Sequence, residues 1–123
     1  WTLASNKPDA LLNYQHKFFP DGTSKTLDPF QLSSEDSMPL DNAFMSTGDI
    51  FFISGKRRLV IDRKGLDYLV LYNGVYSSGV SLAIEPMSAP PDAFNNGIGL
   101  ITLIPGATTR ASFRVTLKDQ SEK

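Results

Sequence analysis

Val80-Ser81-Leu82-Ala83-Ile84-Glu85 is the stretch on which the fold of this chain turns. Val80, Leu82 and Ile84 alternate with Ser81, Ala83 and Glu85, the two-residue period of a strand with one apolar face. Upstream, residues Leu66 to Tyr72 are apolar at both parities, which predicts a central strand covered on both sides. Leu59-Val60-Ile61 and Asp49 to Ile53 read as two more short strands parted by a Gly55-Lys56 turn. Asp62-Arg63-Lys64-Gly65 is expected to be a hairpin loop, with Gly65 supplying a positive φ. Downstream, Pro86 to Pro91 makes a corner, and Gly99 to Ile104 is expected as a strand closed by Pro105-Gly106. Phe113, Val115 and Leu117 then alternate with Ser112, Arg114 and Thr116. Short strands at regular turn spacing, with no strand–helix alternation, predict an all-β fold, an antiparallel β-sandwich.

The amino-terminal part reads differently. Pro8, Pro20, Pro29 and Pro39 interrupt residues 1–39, which are expected to be irregular. Within them Asp9 to Tyr14 is expected to make one helical turn, and Pro20-Asp21-Gly22 and Ser33-Ser34-Glu35-Asp36 are turn signals. The chain therefore divides into an irregular stretch (1–39), a β-rich body (40–117) and a polar tail (118–123), all one domain of 123 residues.

Composition excludes several classes of function. Twelve basic residues face thirteen acidic ones, for a net charge of −1. The basic residues cluster only at Lys56-Arg57-Arg58 and Arg63-Lys64, which read as solvated turns and not as a phosphate-binding stripe, so no nucleic-acid partner is expected. The absence of cysteine removes disulfides, thiol nucleophiles and thiolate metal sites. No apolar run approaches the ~20 residues of a membrane helix, and no signal peptide is visible. A cytoplasmic protein with no membrane partner is the expectation.

Few residues are placed to carry chemistry. There is no glycine-rich phosphate loop, no Gly-x-Ser-x-Gly elbow and no pair of histidines for a metal, so no metal or cofactor is expected. His16, the single histidine, lies among Tyr14, Phe18 and Phe19 and reads as a surface or packing residue. Glu85 ends the alternating stretch on the face of Ser81 and Ala83, whose small side chains leave room above the sheet. A carboxylate so held suits acid–base work, although spacing alone favours a solvent-facing glutamate at a strand end. Asp41, in Leu40-Asp41-Asn42-Ala43-Phe44, reads from pattern as part of a turn anchored by Leu40 and Phe44.

The segment Gly79-Val-Ser-Leu-Ala-Ile-Glu85-Pro-Met-Ser-Ala-Pro-Pro-Asp-Ala-Phe-Asn95 resembles the hallmark of the aldose 1-epimerase (galactose mutarotase) family. Gly99-Leu-Ile-Thr-Leu-Ile-Pro105-Gly106, Ala111-Ser-Phe-Arg-Val-Thr116, Tyr68-Leu-Val-Leu-Tyr72 and Leu40-Asp-Asn-Ala-Phe44 are similar to flanking elements of that family. The resemblance runs from about Asp41 to Leu117. It implies the carboxy-terminal part of a galactose mutarotase-like supersandwich with a sugar cleft on one sheet. It also implies interconversion of the α and β anomers of a free hexose or related sugar, with Glu85 as general base and Asp41 as a ligand for sugar hydroxyls. A positioned carboxylate removes the anomeric proton while the ring oxygen is protonated; the ring then opens and recloses.

Two departures qualify the implication. The family's acid and further ligands are histidines and an arginine well upstream of the Asp41 element, and no residue here takes those positions. His16 is too close to Asp41 for that role. Members are also about twice as long. The chain is therefore expected to be part of a longer protein, inactive by itself, and associated with its missing amino-terminal half or with a second copy. A non-catalytic sugar-binding sandwich and a structural β-domain are the competing expectations.

Overall fold

The computed structural model describes residues 1–16, 19–34, 40–74 and 81–119. These form ten strands and one short helix: β1 Thr2–Ser5, β2 Asp9–His16, β3 Phe19–Leu27, β4 Gln31–Ser33, β5 Asp41–Met45, β6 Ile50–Ser54, β7 Arg57–Lys64, β8 Tyr68–Tyr72, β9 Ala83–Met87, α1 Ala93–Asn96 and β10 Ser112–Asp119. They build two five-stranded antiparallel sheets, β10-β7-β6-β1-β4 and β3-β2-β5-β8-β9. The fold is an all-β sandwich.

The chain zigzags between the layers. Residues 28–30 join edge strand β3 to edge strand β4, 6–8 join β1 to β2, 46–49 join β5 to β6, and 65–67 join β7 to β8. Each strand from β1 to β8 is thus tied to the strand at the same position in the other sheet, and β9 and β10 are the last strands at the far end. Between the layers, Leu3, Ile50 and Ile61 from one sheet meet Phe44, Leu69 and Leu71 from the other, with Phe30 of the 28–30 corner. Phe30 and Phe44 lie 5.5 Å apart between ring centroids at 45°, a tilted pairing of the favourable kind. Leu69 and Leu71 are fully buried; each adds roughly 1.5–3 kcal/mol of burial free energy.

Polar side chains pin the corners. Asp9 is buried and accepts hydrogen bonds from the Ser5 hydroxyl and the Phe30 N–H, locking corners 6–8 and 28–30 together. Arg63 points inward from β7. It donates to the Ser46 hydroxyl (3.0 Å), the Gly48 carbonyl (2.8 Å) and the Leu66 carbonyl (3.3 Å), tying the 46–49 and 65–67 corners. Burial pushes the Arg63 pKa down, and the charges of Asp9, Asp67 and Asp49 oppose that shift.

Several expectations need correction. The described part of residues 1–39 is not irregular: it holds β1 to β4, and Asp9 to Tyr14 belongs to a strand, not a helical turn. Pro8, Pro20 and Pro29 do not break these strands, and Pro39 falls outside the described residues. Pro8 and Pro29 sit in interlayer corners, and Pro20 sits in β3, an edge strand where its missing N–H costs no ladder bond. Asp62 to Lys64 continue β7, so 62–65 is no hairpin; the chain crosses to the other sheet at 65–67, and Gly65 has φ +73°. Gly99 to Ile104 form no strand, and Leu100, Ile101, Leu103 and Ile104 are exposed. Lys118 and Asp119 of the expected tail lie in β10. Residues 35 and 36 of the second turn signal, and Val80, fall outside the described residues.

Candidate functional site

Cross-strand register decides which side chains share a face. β8 pairs Tyr72, Val70 and Tyr68 with Asp41, Ala43 and Met45 of β5, and with Ala83, Glu85 and Met87 of β9. Directly paired residues point to the same side of a sheet. Asp41 and Glu85 therefore stand on one face, with Tyr72, Val70 and Tyr68 between them. On the opposite side of these strands, Phe44, Leu69, Leu71 and Ile84 fill the core. The carboxylates accordingly occupy the outer face of the second sheet. They are two strands and two residues apart, about 12 Å between Cα atoms by ordinary sheet spacing.

The floor of this face is apolar and aromatic. Leu12, Ala43 and Val70 form a buried cluster of their own, against which Tyr14, Tyr68 and Met87 pack. Ala10 faces Met45 in register, so Ala10, Leu12 and Tyr14 of β2 belong to the same side. Only Ala10↔Met45 and Leu11↔Phe44 pair between β2 and β5. Beyond them, the Ala43 N–H donates to the Tyr14 hydroxyl at 2.7 Å. Tyr14 thereby bridges the sheet where its two strands part. Its pKa is raised, first by burial and then by the nearby Asp41 charge, against the lowering effect of the Ala43 N–H. Tyr14 and Asp41 are thus electrostatic neighbours.

The neighbouring segments fix two of the tyrosines. A Cβ at Gly74 would stand 2.3 Å from the Tyr72 ring, so the chain passes directly across that ring. Gly99, at φ +64°, lies against Tyr68 in the same way, with a would-be Cβ 2.6 Å from the ring. Residues 97–100 therefore bound the face at its Tyr68 end. The β5 entrance is held by Asn73, whose side-chain oxygen accepts from the Leu40 N–H at 2.6 Å, while its N–H donates to the Leu40 carbonyl.

The two residues singled out from the sequence meet different surroundings. Asp41 opens β5, half-buried, and is not in a turn. Glu85 is the middle residue of β9, not its end, and is exposed to solvent rather than partly buried. Pro86 follows it inside the strand, which an edge position permits. His16, as a backbone position, pairs with Phe19 at the end of β2. An open depression of about 600 Å³ beside residues 86–95 starts at the Met87 end of β9, but neither Asp41 nor Glu85 lines it.

Tyr14 and Tyr72 were missed in the sequence. The alternation Ala10, Leu12, Tyr14 is legible once Pro8 and Pro20 are read as corner and edge residues. Among the described residues no group of three or more His, Cys, Asp or Glu side chains is arranged to hold a metal ion. The basic residues do not gather into a site either: Lys56 and Arg57 are exposed, Arg58 stacks over Phe51 at 4.6 Å, and Arg63 serves the corners. No helix among the described residues is long and apolar enough to cross a membrane.

Comparison with known proteins adds little on function. The chain is similar to an uncharacterised protein of Escherichia coli K12, YihR, at 42% identity over 48 residues; these span 39% of this chain and 16% of that protein. No family model matches the chain, and no solved structure matches it.

Proposed function

We propose that the outer face of the β3-β2-β5-β8-β9 sheet binds a saccharide, and that this domain supplies the base, Glu85, of an aldose 1-epimerase-like reaction. The observation that carries the reading is the register placing Asp41 and Glu85 on one face with tyrosines between them. Aromatic rings offer apolar platforms to the C–H faces of a pyranose, and a half-buried carboxylate accepts hydrogen bonds from vicinal hydroxyls. Asp41 would orient the sugar so that its anomeric hydroxyl reaches Glu85. Glu85 takes that proton, the ring opens, and reclosure on the other carbonyl face returns it. Tyr14 keeps its proton at neutral pH and is placed beside Asp41 as a donor to the same ligand. The resemblance of residues 79–95 to the aldose 1-epimerase hallmark is the second support.

Sugar titration followed by tyrosine fluorescence tests binding. Trp1 is the wrong probe, because it packs beside Phe52 on the other sheet, 6.1 Å between ring centroids. Asp41→Asn should abolish the response, and Glu85→Gln should leave it. A wild-type chain silent toward galactose, glucose and their phosphates at millimolar concentration would end the proposal. Polarimetry of fresh α-glucose or α-galactose then separates catalysis from binding. A rate at the buffer level is expected for this chain by itself, and a Glu85-dependent rate for the longer protein that contains it. A binding-only role is the second reading, and the exposure of Glu85 to solvent is what favours it.

A further inference from the structure

The sandwich is closed at its β3/β4 end and open at its β9/β10 end. Phe113, Val115 and Leu117 pair in register with Arg63, Ile61 and Leu59 of β7, and Ile61 belongs to the core, so this row points into the sandwich. Yet Phe113, Val115 and Leu117 are 59%, 51% and 60% exposed. Leu100, Ile101, Leu103 and Ile104, in the connection between β9 and β10, are exposed as well. β9 and β10 are the last strands of their sheets, each with one edge that no described strand pairs with. An inward row this uncovered, beside two free edges, marks a surface built to be covered.

We infer that a second copy of this chain covers it, in a two-fold dimer that exchanges layers: β10 of one copy extends its sheet onto β9 of the other. Three observations select this occupant and arrangement. The seven apolar side chains expose on the order of 700 Å², close to what one partner contributes to a standard stable interface. Strand direction fits: β7 and β8 run oppositely, β9 is antiparallel to β8 and β10 to β7, so β9 and β10 run in opposite directions and pair antiparallel across a two-fold axis along the strands. Charge decides between the two possible joins. Pairing β10 with β10 and β9 with β9 would set Lys118 against Lys118 and Glu85 beside Glu85, Arg114 being already paired with Asp62. Layer exchange sets the outer row of β10 that carries Lys118 beside the outer row that carries Glu85, and unlike charges on adjacent strands stabilise a sheet. In this assembly each copy lends Lys118 to the other copy's Glu85 face. That last consequence rests on the saccharide reading; the dimer does not.

Sedimentation equilibrium in the absence of sugar is the first test. A species of twice the 13.5 kDa chain mass is expected at about 100 µM, since interfaces of this size bind at micromolar or tighter. Val115→Asp and Leu117→Lys, at side chains exposed in the single chain, should give folded monomers by circular dichroism. Because the chain has no cysteine, a Glu85→Cys chain mixed with a Thr116→Cys chain reports the join directly. Disulfide-linked mixed dimers are expected, and they need no destabilising variant. Monomeric wild type, variants that stay dimeric, or linkage only between two Thr116→Cys chains would each overturn the arrangement. A dimer without sugar binding removes the saccharide reading and leaves this one; a monomer that binds sugar does the reverse.

Discussion

Replacing Arg63 by Leu should destabilise the sandwich more than removing any surface ion pair. Its guanidinium serves three acceptors in two different corners: the Ser46 hydroxyl, the Gly48 carbonyl and the Leu66 carbonyl. Ser46 is 1% exposed and Gly48 is buried, so water cannot readily replace the lost donors there. An orphaned buried acceptor costs about 1–3 kcal/mol, and the partly exposed Leu66 carbonyl less. The guanidinium is itself partly desolvated, so its removal returns some free energy. The net loss is about 2–4 kcal/mol. At this chain length that lowers the melting temperature on the order of 10 °C. Urea unfolding followed by Trp1 fluorescence is the assay, because Trp1 packs against the core and is anchored by its terminal ammonium on Ser34. Arg63→Lys should recover part of the loss, since one ammonium serves fewer of the three acceptors. Arg114→Ala is the control. It removes the 3.0 Å ion pair with Asp62, whose side chains are 75% and 38% exposed, and should leave the midpoint unmoved. An Arg63→Leu change below about 0.5 kcal/mol would refute the corner-pinning role.

Three further outcomes follow from other parts of the structure. Tyr14 has a pKa raised above 10.0, so the folded state holds its proton more tightly than the unfolded chain. The stability this provides is complete below pH 10.0 and lost as pH rises through the higher folded value. Tyr14→Phe should remove that alkaline dependence, and Asp41→Asn should move the Tyr14 transition at 295 nm back toward the ordinary value. Leu69→Ala should cost about 2–5 kcal/mol in urea unfolding, because Leu69 is fully buried between the sheets. Gly99→Ala combines φ +64° with a Cβ 2.6 Å from the Tyr68 ring, and should cost about 1–3 kcal/mol while shifting the Tyr68 ring signals in a proton NMR spectrum.

Much of the architecture was legible because period-two alternation is a local signal. Residues 112–117 carry it, and the apolar stretches 49–53, 59–61 and 66–72 also overlap strands, whereas 41–45 and 62–64, which read as a turn and a hairpin loop, do not show it. Asp41 and Glu85 were legible as residues of interest, one through the family resemblance and one from its place on an alternating stretch. What lay beyond the sequence were the relations between strands. Pro20 and Pro86 do not mark breaks, because β3 and β9 are edges, and edge status exists only once the sheet order is known. The apolar run Gly99 to Ile104 has the composition of a strand but no neighbour to pair with, so its backbone finds no ladder. Likewise, nothing local says that Asp41 and Glu85 share a face, or that Tyr14 on β2 reaches the Ala43 N–H on β5. A strand's own alternation fixes which residues go together within it. Which of its two faces turns outward, and beside what, is set by hydrogen-bond register across segments distant in sequence.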